Sequence, residues 1–244
     1  MKDSIFKIEK NTALTQSVYL MTLVGDVSEI CAPGQFVNIQ IDGLFLRRPI
    51  SVYDKNENSF SIIYKVVGIG TDKMAKMKVG ETLSVLTGLG NGYDLSLSGD
   101  KPLLVGGGVG VPPLYLLAKQ LISQGKNVTV ILGFNSKDEV FCEDEFRKLG
   151  ADVYVTTVDG SYAMQGFVTN AMDLDYSYVY TCGPEPMLKA VYKEMKTSGQ
   201  FSFEERMGCG FGACMGCSCK TITGYKRICK DGPVLRKEEI LWED

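Results

Sequence analysis

Apolar positions in the first third of the chain fall into short runs: Ser17–Val24, Gln35–Ile41, Phe60–Val67 and Thr82–Leu86. Each run is rich in β-branched and aromatic residues, and Pro33-Gly34, Asp42-Gly43 and Asn56 to Ser59 separate them as turns. Strands are predicted there, with one helix from Thr71 to about Lys78, so residues 1–97 read as a small barrel or sandwich. Over residues 98–202 the texture changes. Strand-like runs at Leu103–Val105, Val128–Gly133, Asp152–Val155 and Tyr178–Thr181 alternate with helical ones at Pro113–Ser123, Glu143–Leu149 and Pro186–Thr197. That alternation predicts an α/β domain with a parallel sheet and right-handed crossovers. Across residues 203–244 no period survives, cysteine and glycine dominate, and a loop-rich module organised by a ligand is expected.

Composition narrows the chemistry. Among 244 residues, 45% hydrophobic and 23% charged are ordinary values for a folded chain. With 26 basic against 29 acidic residues, the formal charge of −3 leaves no footprint for a polyanion, and no nucleic-acid partner is expected. There is no histidine. Ser-His and Cys-His nucleophiles, HExxH zinc sites and imidazole proton relays are therefore excluded, leaving thiolates, backbone amides or a cofactor. Neither an apolar leader in MKDSIFKIEKNT nor a membrane-length apolar run is visible, so a cytoplasmic protein without a membrane span is expected. In that compartment, clustered cysteines point to metal or redox chemistry rather than disulfides.

Five of the eight cysteines lie between positions 209 and 229. Cys209, Cys214 and Cys217 have the C-x4-C-x2-C spacing of plant-type [2Fe-2S] proteins, and Cys229 supplies a fourth thiolate. Gly208, Gly210, Gly212 and Gly216 suit a loop that turns backbone N–H groups towards sulfur. A four-thiolate zinc site is the competing reading, although zinc ribbons usually pair two CxxC knuckles. Cys219 is the rival fourth ligand, but it follows Cys217 by two residues and suits packing as a small hydrophobe.

Two glycine turns close predicted strands. Gly106, Gly107, Gly108 and Gly110 stand between a strand and a helix, where backbone amides and the helix dipole can receive a pyrophosphate. Neither the Walker pattern nor a full G-x-G-x-x-G is present. The second turn, with Cys182 and Gly183, ends the last predicted strand, on the edge where open α/β sheets bind ligands. After the second strand of this half, Lys137-Asp138-Glu139 lacks an arginine cluster for a 2′-phosphate, and its acids favour NADH over NADPH.

In the β-rich half, Arg48, Pro49, Ile50 and Ser51 set a cation, a rigid ring and a hydroxyl close together. Downstream, Ile63, Tyr64 and Lys65 lead into a turn with Gly70 and Thr71 that opens a helix. A diphosphate and an aromatic ring system suit these groups. Taken in order, Arg48-Pro-Ile-Ser51, Gly106-Gly-Gly-x-Gly110, Cys182-Gly-Pro184, the cysteine loop and Cys229-Lys-Asp-Gly-Pro233 resemble the ferredoxin reductase family. Within it, they are most similar to the electron-transfer subunits of two-subunit, NAD-dependent dihydroorotate dehydrogenases.

That resemblance spans essentially the whole chain. It implies an FAD-binding β-barrel, a parallel-sheet NAD-binding domain and a small C-terminal [2Fe-2S] module. Arg48 to Ser51 and Ile63 to Lys65 would hold the flavin, with Gly70 and Thr71 on its diphosphate. Gly106 to Gly110, Cys182 and Gly183 would serve NAD(H), and Cys209, Cys214, Cys217 and Cys229 would ligate the cluster. The implied partner is an FMN-containing catalytic subunit, two copies of each chain forming a heterotetramer. Two departures matter. The family's T-x-D-G-S run persists as Thr157 to Ser161, but Ala163 stands where a glycine is usual. A related branch, in flavin-dependent ferredoxin and NADP reductases, replaces one cluster cysteine by aspartate, and Cys209 argues against that branch. A reductase subunit serving another acceptor, such as a sulfide or ferredoxin-linked enzyme, and a redox-sensing module are the alternatives.

Overall fold

The computed structural model describes residues 1–242. Its first unit is a closed antiparallel barrel of β1 (Lys2–Ala13), β2 (Val18–Val24), β3 (Phe36–Ile39), β4 (Arg48–Lys55), β5 (Ser59–Lys65) and β6 (Thr82–Leu89). The strands close in the order β1-β2-β5-β4-β3-β6, so no edge is left bare. Phe6 and Ile8 on β1 turn inward while the charged residues between and around them face water. Strands β1 and β4 are additions to the predicted set, which begins at Ser17 and has no strand between Ile41 and Phe60. Phe6, Met21, Val37, Ile39, Val52, Ile62 and Val85 fill the barrel, each contributing about 1.5–3 kcal/mol by burial. Helix α1 (Ile69–Lys76) connects β5 to β6 and begins two residues before the predicted one.

The second unit contains β7 (Pro102–Gly107), α2 (Pro113–Ser123), β8 (Thr129–Phe134), α3 (Glu143–Leu149), β9 (Asp152–Thr157), β10 (Met164–Gln165), β11 (Tyr178–Cys182), α4 (Glu185–Glu194) and β12 (Gly199–Ser202). It has the predicted alternation, adds β10 and β12, and ends α4 three residues before the expected Thr197. Helices α2 and α3 have the predicted bounds. Proline at the start of α2 costs no hydrogen bond there. The sheet runs β10-β9-β8-β7-β11-β12, all parallel. The chain winds outward from β7 through β10, then returns to β11 on the other side of β7. The carboxyl ends of β7 and β11 therefore form the switch point at which such sheets bind ligands.

Barrel and sheet share a core. Tyr53 and Ile63 pack with Leu114, Leu117 and Phe146, and Tyr53 stacks on Tyr115 with centroids 4.4 Å apart. Lys119 pairs with Asp54 at 2.8 Å across the same junction.

The cysteine-rich segment carries more regular structure than expected. It contains a hairpin of β13 (Ser218–Thr221) and β14 (Gly224–Arg227), then β15 (Val234–Arg236), which adds antiparallel to β12 as the outermost strand of the sheet. Asn91, just beyond β6, holds this return to the barrel: its N–H donates to Gly232 O (2.8 Å), its Nδ2 to Val234 O (2.8 Å), and its Oδ1 accepts from Val234 N–H (3.1 Å). The segment from 203 onward is thus built into both larger units.

Candidate functional site

Arg48 to Ser51 open β4 and are all partly exposed. The Arg48 guanidinium fills the space beside Gly70: a Cβ on Gly70 would lie 2.1 Å from Arg48 Nε. Its Nη1 donates to the carbonyls of Leu46 and Arg47, and no carboxylate pairs with it among the described residues. Thr71 Oγ1 accepts from the Val67 and Gly68 N–H groups at 3.0 and 3.3 Å, which folds the turn ahead of α1. The unpaired N–H groups of the first helical turn and a cation without a counter-ion thus meet at one place, a fit for a diphosphate.

Two of the expected flavin residues, Ile63 and Tyr64, have buried side chains. Tyr64 is 1% exposed, inside the barrel core, with its hydroxyl donating to Asn11 Oδ1 at 3.1 Å; burial also pushes that hydroxyl upward in pKa. Ile63 is turned into the core shared with the sheet. With these side chains turned inward, β5 presents Lys65 and its backbone as the more accessible groups. Lys65 itself lies 3.7 Å from Glu139 of the sheet domain.

The two glycine turns come together at the switch point. Cys182 and Gly106 are register partners on β11 and β7, and β5 lies against the Gly108–Gly110 turn. A Cβ on Gly110 would sit 2.3 Å from Cys182 O, so only glycine permits this approach. Met187 covers the inner faces of Gly107 and Gly183, whereas Gly108 faces open space. Burial and the charge of Glu204, opposed by the Ser202 hydroxyl, push the Cys182 thiol up to about 12. A neutral thiol therefore lines this crevice at physiological pH.

Along the same edge, Glu139 accepts from Asn135 N–H (3.3 Å) and Nδ2 (2.8 Å), which fixes a carboxylate beyond β8. Ser161 Oγ donates to Asp159 Oδ1 at 2.7 Å and accepts from Lys137 N–H at 2.8 Å, tying the loops after β8 and β9 together. Ala163 has φ +52°, which is the physical reason a glycine suits that position. With Glu139 held at the rim, kcat/KM for NADH should exceed that for NADPH by about tenfold or more. Steady-state oxidation of both nucleotides by an artificial acceptor measures the ratio; equal values would contradict the assignment.

The four expected cluster thiols form two pairs. Ala213 and Cys214 N–H groups donate to Cys209 Sγ at 3.2 and 3.4 Å, and Cys209 N–H donates to Cys214 Sγ at 3.5 Å. Cys229 N–H donates to Cys217 Sγ at 3.4 Å. Burial opposes ionisation of Cys209, but the N–H groups of Cys214, Phe211 and Ala213 and the Cys214 thiol bring it down to about 6. Burial and the adjacent Cys217 push Cys229 up to about 12. N–H groups converging on sulfur suit a cluster's electron-rich thiolates. No three cysteine, aspartate or glutamate side chains gather round a single point among the described residues. The pairing of Cys209 with Cys214 and of Cys217 with Cys229 fits a group with two metal atoms, two thiolates on each.

Cys219 belongs to neither pair. It lies in β13, opposite Lys226 of β14. Arg227 braces the loop, its Nε 2.9 Å from Asp231 and its Nη1 donating to Gly212 O at 3.0 Å. Phe36 and Leu89 of the barrel pack with Cys217, Ile228 and Cys229. Asn91 is a structural support that sequence reading missed, because its partners Gly232 and Val234 are distant in the chain.

A flavin-type barrel, a nucleotide-type sheet and a paired-thiol loop define a ferredoxin-reductase-like chain with a built-in iron–sulfur module. Comparisons with known proteins narrow this. Residues 204–241 match the iron-sulfur cluster binding domain of dihydroorotate dehydrogenase B, and residues 104–193 match the oxidoreductase NAD-binding domain. The chain is 48% identical to the dihydroorotate dehydrogenase B (NAD(+)) electron transfer subunit of Fusobacterium nucleatum subsp. nucleatum, covering 98% of this chain and 99% of the relative. It is 42% identical to the subunit of the same description from Geobacillus sp., covering 99% of each. It belongs to this family of electron transfer subunits. Among solved structures, a chain of an NADH-dependent reduced ferredoxin-NADP oxidoreductase superposes with a TM-score of 0.88 at 32% identity, over 98% of this chain and 90% of that one. The FAD/NAD-binding domain of a nitric oxide dioxygenase from Vibrio cholerae shares the fold, with a TM-score of 0.69 over 79% of this chain and 92% of that one, at 23% identity.

Proposed function

We propose that this chain carries electrons between NAD(H) and a partner subunit that oxidises dihydroorotate, in pyrimidine biosynthesis. The observation that carries the reading is 48% identity to an electron transfer subunit over 98% of the chain, together with the paired thiols built into the reductase fold. When bound, FAD exchanges hydride with a nicotinamide and single electrons with a [2Fe-2S] cluster, joining two-electron to one-electron chemistry. The residues of this chain bind, orient and insulate. Arg48 and the first turn of α1 hold the flavin's diphosphate, with Pro49, Ile50 and Ser51 beside its ring. Gly106 to Gly110, Cys182 and Gly183 receive NAD(H) at the switch point. Cys209, Cys214, Cys217 and Cys229 hold the cluster. No general acid or base is required of the chain, which agrees with its lack of histidine.

The partner in this reading is an FMN-containing catalytic subunit, with two copies of each chain in the complex, and the setting is the cytoplasm. No helix among the described residues is long and apolar enough to cross a membrane. Beside the cluster loop, Phe211 is 43% and Met215 is 55% exposed, while Cys214 faces outward. An apolar rim round an outward thiol suits close docking of the partner. Phe211→Asp is expected to weaken copurification with the catalytic subunit by about tenfold or more, a buried interface charge being costly, while iron and FAD remain bound. Loss of iron in the variant would show that Phe211 shields the cluster instead, and unchanged copurification would overturn the docking assignment.

A second reading, a ferredoxin-linked NADP reductase, draws on the 32% identity to such an oxidoreductase. Dihydroorotate-dependent NAD+ reduction by the reconstituted pair supports the first reading. Turnover with reduced ferredoxin and NADP+, but none with dihydroorotate, supports the second.

A further inference from the structure

Asn38 lies on β3 with Pro49 of the candidate flavin strand as its register partner, and its side chain is 1% exposed. Its Nδ2 donates to the carbonyl of Cys209 at 3.2 Å, a hydrogen bond across 171 residues of sequence. Opposite it, Gly210 has φ +80°, and a Cβ there would lie 2.4 Å from Asn38 Nδ2. The cluster loop therefore presses its backbone directly onto this amide. The other half of the amide, Oδ1, is buried with no hydrogen-bond partner. A buried orphan acceptor destabilises a fold, so an apolar residue of similar shape would serve the barrel at least as well. What such a residue would lack is the grip on Cys209.

We propose that Asn38 is a positioning residue that clamps the cluster loop to the strand alongside the flavin motif, fixing the separation between the two redox sites. The clamp rests on the reading of Cys209 to Cys229 as the cluster's seat. It acts through the Cys209 main chain rather than by touching the reacting groups. Electron transfer falls steeply with distance, so a loop held from β3 keeps the transfer path short and constant.

Asn38→Leu removes both the hydrogen bond and the orphan oxygen. In the intact subunit, iron release to a chelator should then be about five- to tenfold faster, the equivalent of one lost hydrogen bond. The reduced protein's electron paramagnetic resonance signal should broaden or shift, and the melting temperature should stay within about 2 °C of wild type. Gly210→Ala attacks the same clamp from the loop side and should also speed iron release. An Asn38→Leu variant that melts far lower has lost a merely structural residue, which overturns the proposal. Unchanged iron release and signal in both variants overturn it as well. Wild-type protein without iron and sulfide would overturn the cluster reading itself, and the clamp with it.

Discussion

Replacing Cys229 by serine is expected to strip the protein of iron, whereas Cys219→Ser leaves about two irons and two sulfides per chain. The difference lies in where the two thiols stand. Cys229 donates its N–H to Cys217 Sγ and shares a buried core with it, so it completes the second thiol pair. Cys219 is held in a hairpin strand by Lys226 across the ladder and contributes to neither pair. Losing one of four ligands leaves an iron with open coordination, and a drop of about a hundredfold in dihydroorotate-to-NAD+ turnover should follow. Oxidation of NADH by an artificial acceptor that takes electrons at the flavin should persist. Iron and sulfide analysis of both variants decides the ligand set; loss in Cys219→Ser with retention in Cys229→Ser would reverse it.

Gly110→Ala should be the most damaging single methyl that can be added to the nucleotide half. The new Cβ would meet Cys182 O at 2.3 Å, Cys182 C at 2.5 Å and Gly183 Cα at 2.6 Å. All three are backbone atoms, so no rotamer change relieves the clash and the turns after β7 and β11 must separate. Overpacking of this kind costs on the order of 1–3 kcal/mol. Because those turns form the proposed nicotinamide crevice, KM for NADH should also rise by about tenfold or more. Denaturant unfolding and NADH kinetics measure the two effects, while FAD and iron contents should not move. Values within about twofold of wild type on both would mean that the turns do not form one site.

Local pattern and long-range pairing divided what was legible. Helices α2 and α3 were readable to the residue because each has its own punctuation: proline opens α2, and Gly150 closes α3. The glycine turns and the thiol spacing were legible as motifs, since the chemistry they serve demands close backbone approach. The inward turn of Tyr64 is not legible from the glycine turn beside it: strand parity sets its side chain in the barrel with Phe60 and Ile62. Strand β1 was passed over because its frequent charges mask a regular inward pair, Phe6 and Ile8. Lys65 found Glu139 only after two domains had packed, and Asn38 found Cys209 only after the third segment had folded back. No window of sequence contains either pair.

Strand β15 also bears on modular engineering. Because residues 234–236 complete the edge of the sheet beside β12, cutting the chain before residue 203 would leave a bare hydrogen-bonding edge and uncover Phe36, Leu89 and Phe201. The iron–sulfur segment is thus a keystone rather than a cassette. Grafting such a wire onto an ordinary flavin reductase means transplanting an edge strand and its asparagine latch together with the cysteines.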